Sequence, residues 1–96
     1  MSTENRKIIS ITTEVTVYPS SKKGPYLFSI PEEVLQALRM PKDVYVVLRD
    51  IFGNLIHHRH IKRVSGPEVN KGNFKDQIAN GQLYPGQRIR LEVSLL

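Results

Sequence analysis

Hydrophobic and polar residues alternate through several short stretches of this chain, which is the pattern of half-buried β-strands. The first stretch runs from Ile8 to Tyr18 and is rich in β-branched residues. Its period breaks near Thr12-Thr13, which predicts a β-bulge there. Four further strands are predicted, at Tyr26 to Ile30, Val44 to Arg49, Leu55 to Arg63 and Ile89 to Leu95.

One segment with helical spacing follows the second strand. Pro31 suits the first position of a helix, and the carboxylates of Glu32-Glu33 complement the positive end of the helix dipole. Met40-Pro41 is expected to end this helix, because proline disfavours helical geometry in the residue before it. The predicted buried stripe consists of Val34, Leu35 and Leu38.

A second helix is predicted from about Asn73 to Asn80. Asn73 is a favourable N-cap residue, and Gly81 is a typical residue just past a helix end. Phe74 and Ile78 lie four residues apart, so they share one face of this helix.

The connections complete the predicted architecture. Asp50-Ile51-Phe52-Gly53-Asn54 is expected to join two strands as a hairpin, with Gly53 and Asn54 at positive φ. Residues 19–25 are rich in Pro, Ser, Lys and Gly, which predicts a loop. Residues 1–7 are polar and predicted to be flexible, and 8–96 to form one domain. The element order predicts a mostly β fold in which antiparallel strands form a barrel-like sheet and two short helices plug its ends.

The composition indicates a basic globular domain. Lys and Arg number 14 against 9 Asp and Glu, giving a formal charge of +5, and 40% of residues are hydrophobic. Such a charge favours an acidic partner, of which nucleic acid is the commonest, although a solubilising surface charge is the plain alternative. The absence of cysteine excludes disulfides and a thiol nucleophile.

Location and domain context are also indicated by the sequence. No apolar run approaches the roughly 18 residues that a membrane span needs, and no signal-peptide pattern opens the chain, so a cytoplasmic protein is expected. The chain ends in a strand-like run, from Arg90 to Leu96, with no polar tail. This ending suggests the N-terminal domain of a larger protein, although a compact stand-alone protein could also end so.

Candidate catalytic groups are few. His58 and His60 share one face of a strand and His57 lies on the other, but zinc normally takes a third protein ligand and no carboxylate lies nearby in the sequence. The histidines are therefore interpreted as surface hydrogen-bonding groups. Glu32-Glu33 is explained by its place at a helix start. No known catalytic motif is present, so the chain by itself is expected to be no enzyme and to need no cofactor or metal.

Two basic loops are the remaining candidates for function. Ser and Asn side chains stand among their cations and can donate to phosphates, and Arg and Asn can read guanine and adenine in two-pronged fashion. Glu68 could accept a hydrogen bond from cytosine. The plain alternative is a solvated charged face. The candidate DNA-binding residues are Ser20, Ser21, Lys22, Lys23, Gly24, Tyr26, Arg59, His60, Lys62, Arg63, Ser65, Gly66, Glu68, Asn70, Lys71 and Asn73.

Five motifs occur in an order that is typical of one DNA-binding family. They are Leu27-Phe28-Ser29-Ile30-Pro31, Asp50-Ile51-Phe52-Gly53, Arg59-His60-Ile61-Lys62-Arg63, Gly72-Asn73-Phe74 and Leu83-Tyr84-Pro85-Gly86-Gln87. Over roughly residues 15–94 the chain resembles the B-three DNA-binding pseudobarrel family, found in plant auxin response factors. Similar domains recognise DNA in EcoRII-like and BfiI-like restriction endonucleases. The chain departs from the family at Phe74 and Ile56, where tryptophan is usual, and at Gln87, where aspartate is usual.

The resemblance implies a seven-stranded, open, antiparallel β-barrel, or pseudobarrel. Two arms would enter the major groove of double-stranded DNA, one at residues 20–26 and the other at 59–71. Arg63 would read a base, and Lys22 and Lys23 would hold phosphates. The divergence from the plant motifs favours the prokaryotic branch: a monomeric recognition or effector domain of a restriction endonuclease, covalently linked to a nuclease domain.

Two alternatives remain open from the sequence. The run from Ile30 through Val34 to Leu38 and the turn Pro85-Gly86-Gln87 also resemble AbrB-like transition regulators, which bind DNA as dimers with swapped hairpins. The other alternative is a barrel that binds proteins and no nucleic acid.

Overall fold

The computed structural model describes residues 9–18, 26–62 and 67–95 of the chain, so the expectation for residues 1–7 lies outside it. Nearly all the predicted elements are present within these ranges. In chain order they are β1 (Ser10–Thr16), β2 (Tyr26–Ser29), α1 (Glu32–Ala37), β3 (Asp43–Asp50), β4 (Leu55–Lys62), β5 (Glu68–Asn70), a 3-10 helix (Lys71–Phe74), α2 (Lys75–Ala79) and β6 (Arg88–Leu95).

The strands form two open antiparallel sheets. One has four strands in the order β1-β6-β3-β4, and the other pairs β2 with β5. The predicted mostly β, antiparallel fold with two short α-helices is confirmed. The seventh strand is not: residues 9–18, 26–62 and 67–95 contain six strands, and neither sheet closes into a barrel.

The predicted bulge in the first strand is wrong. From Ser10 opposite Ser94 to Thr16 opposite Arg88, β1 pairs with β6 without a shift of register. The irregularity in this sheet lies between β3 and β4 instead, where the register shifts between Leu48 and Arg49. Thr12 and Thr13 keep regular pairing because the residues of β1 alternate between more and less exposed positions throughout the strand.

The core covers the inner face of the four-stranded sheet. Alternate residues of β3 and β6 are fully buried and meet α1, β2 and the 3-10 helix in one hydrophobic cluster. The predicted stripe of α1 (Val34, Leu35 and Leu38) belongs to this cluster. The opposite, outer face of the sheet carries mostly polar side chains together with Val47 of β3, as the period of two requires.

The first helix ends earlier than expected. Pro31 is its N-cap rather than its first helical residue, and the helix ends at Ala37, ahead of the predicted stop at Met40-Pro41. The cause is a reversal through left-handed backbone: Arg39 and Met40 have φ values of 68° and 51°. This geometry costs roughly 1–2 kcal/mol per residue, and a hydrogen bond of 2.7 Å from the Met40 amide to the Leu35 carbonyl offsets part of it.

Asp50 organises the β3–β4 hairpin. Its carboxylate accepts hydrogen bonds from the Phe52 amide at 2.9 Å, the Asn54 amide at 2.9 Å and the Asn54 side chain at 3.0 Å. Gly53 has a φ of 92°, as predicted. The expectation of a positive φ at Asn54 is wrong, because Asn54 serves as the hydrogen-bond partner that closes the turn and Gly53 alone supplies the left-handed geometry.

The hairpin should open at acidic pH. Hydrogen bonds from Asn54 and Phe52 hold the pKa of Asp50 below its ordinary value of 3.8. A lowered folded pKa means that the carboxylate stabilises the hairpin above the ordinary value, and that this stabilisation is lost as pH falls through the folded pKa. We expect the amide chemical shifts of Phe52 and Asn54 to titrate with a midpoint below 3.8. In Asp50→Asn this titration should disappear. A midpoint at or above the ordinary value would contradict the hydrogen-bonded turn.

The region after β5 differs from the predicted second helix. A 3-10 helix precedes α2, so the helical backbone begins at Lys71 rather than Asn73. Asn70 is the N-cap, its side chain accepting a hydrogen bond of 2.7 Å from the Gly72 amide, so the N-cap role predicted for Asn73 is wrong. The predicted end at Gly81 is confirmed by its φ of 83°. Of the two residues predicted to share a face, Phe74 is buried and Ile78 is 37% exposed.

Candidate nucleic-acid interface

Strand β4 is a basic edge of the molecule. It contains three His, Arg59 and Lys62 and no acidic residue. Within the described residues it pairs with β3 alone, so it forms one edge of the four-stranded sheet. Arg59, His60 and Lys62 are exposed, and Ile61 anchors the strand in the core. We call β4 with these side chains the basic edge.

The two faces of the basic edge differ as predicted. His57 and Arg59 lie opposite the buried residues Leu48 and Val46, which places them on the inner face. His58 and His60 lie on the outer face, where the Tyr45 hydroxyl contacts His58 Nδ1. The basic edge therefore presents cations on both of its sides.

A cleft of about 230 Å³ lies on the inner side of the basic edge, between β4 and the segment that contains the 3-10 helix and α2. Its groups are mostly hydrogen-bonding side chains, with two fixed positive charges against one carboxylate. These groups can contact phosphate oxygens, and the amides can also contact base edges. The lining residues are His57, Arg59, Gly72, Asn73, Lys75, Asp76 and Gln77.

Phe74 holds the far wall of the cleft in place. Its ring is fully buried, lies 6.1 Å from the ring of Phe28, and meets the ring of His57 edge-on at 5.7 Å. Gly72 lies so close to its N-cap that a Cβ there would be 3.2 Å from Asn70 Oδ1. Core packing of Phe74 and the N-cap at Asn70 thus fix the backbone that carries the far wall of the cleft.

On the outer face, one imidazole of the basic edge lies beside a carboxylate. His60 Nε2 lies 3.4 Å from Asp43 Oδ1, an oxygen that is buried and has no hydrogen bond. The distance fits an electrostatic contact, and the angle criteria for a hydrogen bond are not met. Arg59 and Lys62 make no salt bridge within residues 9–18, 26–62 and 67–95. These two charges are therefore available to an anion.

The other described candidates lie on the second sheet and in the 3-10 helix. The arm expected at residues 59–71 consists partly of strands, because Leu55–Lys62 form β4 and Glu68–Asn70 form β5. Asn70 is paired with Tyr26, and Glu68 with Ser29. Tyr26, Glu68 and Asn70 are exposed, while Lys71 begins the 3-10 helix.

The structure brings together only part of the predicted set. Arg59 and Asn73 line the same cleft, whereas His60 and Lys62 lie on the opposite face of β4. Lys75 and Gln77 in the cleft were missed, because their approach to β4 depends on tertiary packing of Phe74. Eight candidates lie outside the described residues: Ser20, Ser21, Lys22, Lys23, Gly24, Arg63, Ser65 and Gly66.

No group of three or more His, Asp or Glu side chains in the described part of the chain could hold a metal ion. The helices in that part are too short or too polar to cross a membrane. In comparisons with known proteins, no protein-family model, curated protein or solved structure matches the chain.

Proposed function

We propose that this chain is a sequence-specific, double-stranded DNA-binding domain. The observation that carries the proposal is the basic edge: an exposed edge strand with five basic side chains and no acidic one, beside a cleft whose Arg, Lys, Asn and Gln groups outnumber its one carboxylate, Asp76. Such a surface attracts the phosphates of DNA of any base sequence. Amide side chains beside the cations supply groups that can distinguish one base from another.

The division of roles follows from side-chain chemistry. Arg59 and Lys75 would hold phosphates from the two sides of the cleft, and Lys62 would do so from the outer face of the basic edge. Asn73 would approach base edges, since its amide is both a donor and an acceptor. A duplex is too wide to enter a cleft of about 230 Å³, so the cleft would receive one backbone segment while the groove lies over β4.

The finer assignment rests on the sequence resemblance. In that interpretation the domain is a seven-stranded pseudobarrel whose arms enter the major groove, and it serves as the cytoplasmic recognition or effector domain of a prokaryotic restriction endonuclease. The domain itself is a monomer that binds DNA without catalysis or cofactor. An intertwined dimer in solution would favour the AbrB-like alternative instead.

Selection from a randomised duplex library tests the proposal. We expect enrichment of one short motif, and binding of that duplex that weakens steeply with salt. A scrambled duplex of equal length and composition is the control. Equal affinity for both would leave only non-specific binding. No binding at micromolar protein and low salt would reject DNA and favour the protein-binding alternative.

A further inference from the structure

The tip of the β3–β4 hairpin is an exposed apolar point. Phe52 is 82% exposed, an extreme value for a residue of this size, and Ile51 and Leu55 beside it are also exposed. Single exposed apolar residues are common on protein surfaces. Three exposed apolar residues within five consecutive positions, with a phenyl ring at the tip, form an apolar patch whose exposure calls for a functional explanation.

This apolar tip is held rigidly. The Asp50 carboxylate accepts three hydrogen bonds from Phe52 and Asn54, and the Gly53 amide donates to the Asp50 carbonyl at 3.0 Å. From the neighbouring strand β6, Arg90 Nη2 donates to the Ile51 carbonyl at 3.1 Å. A rigid turn presents the ring of Phe52 without the ordering cost that a flexible loop would incur on binding.

The apolar tip continues the basic edge. Leu55 begins the strand that ends at Lys62, and seven intervals of about 3.3 Å place the two ends roughly 23 Å apart. That length corresponds to about seven base-pair steps of 3.4 Å. Arg49 and Arg90 face each other across β3 and β6 near the tip, where Arg49 pairs with Glu92 at 3.6 Å and Arg90 donates to the Ile51 carbonyl.

We propose that Phe52 contacts DNA as a wedge, stacking on or inserting into one base-pair step that lies beyond the roughly seven steps spanned from Lys62 to Leu55. Apolar side chains such as Phe, inserted between base steps from the minor groove, are a recurrent way of kinking a duplex. The inference rests on the proposed DNA binding and adds a second contact, distinct from the cleft. A stable protein interface needs about 800 Å² per partner, which three partly exposed side chains do not supply.

The test uses the selected duplex with 2-aminopurine, a fluorescent base that brightens when unstacked, placed at successive positions. Wild type should brighten it at one step displaced from the motif centre. Phe52→Ala should abolish that signal and weaken binding about 5- to 150-fold, as loss of aromatic stacking does. Tyr84→Ala is the matched control: Tyr84 is 54% exposed, lies in a different turn, and should change neither readout.

The outcomes separate the two proposals. If wild type does not bind DNA, both fail. If wild type binds the selected duplex but Phe52→Ala leaves affinity and fluorescence unchanged, only the wedge fails. A sedimentation experiment without DNA covers the protein alternative: concentration-dependent self-association that Phe52→Ala removes would overturn the wedge and assign the tip to a second copy of the chain. Circular dichroism should confirm that Phe52→Ala remains folded.

Discussion

Phe74→Ala is expected to lower the free energy of unfolding by about 3–5 kcal/mol, the usual cost of truncating a fully buried phenylalanine. The ring of Phe74 is 0% exposed and packs on Phe28. Its removal leaves a cavity between the 3-10 helix and β2, and small domains have little stability to spare. Urea unfolding followed by circular dichroism measures the change.

The matched control for this core position is Ile78→Ala. Ile78 lies four residues further along the same segment but is 37% exposed, so its truncation should cost much less. Phe74→Leu should restore a large part of the lost stability, because it fills most of the cavity. A Phe74→Ala variant that loses less than about 1 kcal/mol would show that the 3-10 helix does not pack on the core as described.

The same variant tests how the cleft is held. Phe74 contacts the ring of His57 edge-on, so the wall of the cleft that β4 forms packs against a core residue. If Phe74→Leu folds but loses DNA affinity while Ile78→Ala does not, core packing positions the cleft. Equal affinities would mean that the backbone pairing of β4 is sufficient.

Much of the sheet was predictable because a strand has a period of two. The run from Val44 to Arg49 was predicted as a strand, and in β3 Val44, Val46 and Leu48 are its buried residues; the period of two also separated His58 and His60 from His57. Pro31 and Gly81 marked the two helix ends that depend on local backbone preference, although Pro31 lies one residue before the position expected. Local rules sufficed wherever a single strand or turn decided the structure.

The cleft was not predictable, because it forms between segments distant in sequence. Arg59 and Lys75 line one cleft because Phe74 packs in the core and β5 pairs with β2. The three-residue strand β5 has too few residues to show a period, so its pairing was overlooked. Asn70 and Asn73 have the same side chain and are therefore equal candidates for the N-cap. The pairing of β5 with β2 decides in favour of Asn70.

The basic edge has a second physical explanation that must be separated from DNA binding. Charged side chains on an edge strand also prevent edge-to-edge association with another sheet. That role needs charge on β4 but makes no use of Lys75 across the cleft. Removing charge from Arg59 and Lys75 together therefore distinguishes the two explanations.

Arg59→Gln with Lys75→Gln is expected to weaken binding to the selected duplex by about 150- to 20,000-fold, the equivalent of two lost charge-assisted hydrogen bonds. The slope of log affinity against log salt should fall by about 2, since each lost phosphate contact removes about 0.9. Fluorescence anisotropy at several salt concentrations gives both values.

The control pair Arg39→Gln with Arg88→Gln changes the net charge equally. Arg39 follows α1, and Arg88 is bound to Glu14 at 2.6 Å at the start of β6, so neither lies on the basic edge. This pair should alter the salt slope little, because the substitutions reduce the overall electrostatic field of the protein and remove no phosphate contact. If both pairs weaken binding alike, net charge alone attracts DNA and the cleft has no special part. If instead the Arg59 and Lys75 pair keeps its affinity but the protein aggregates, the charges protect an edge strand and the DNA surface lies elsewhere.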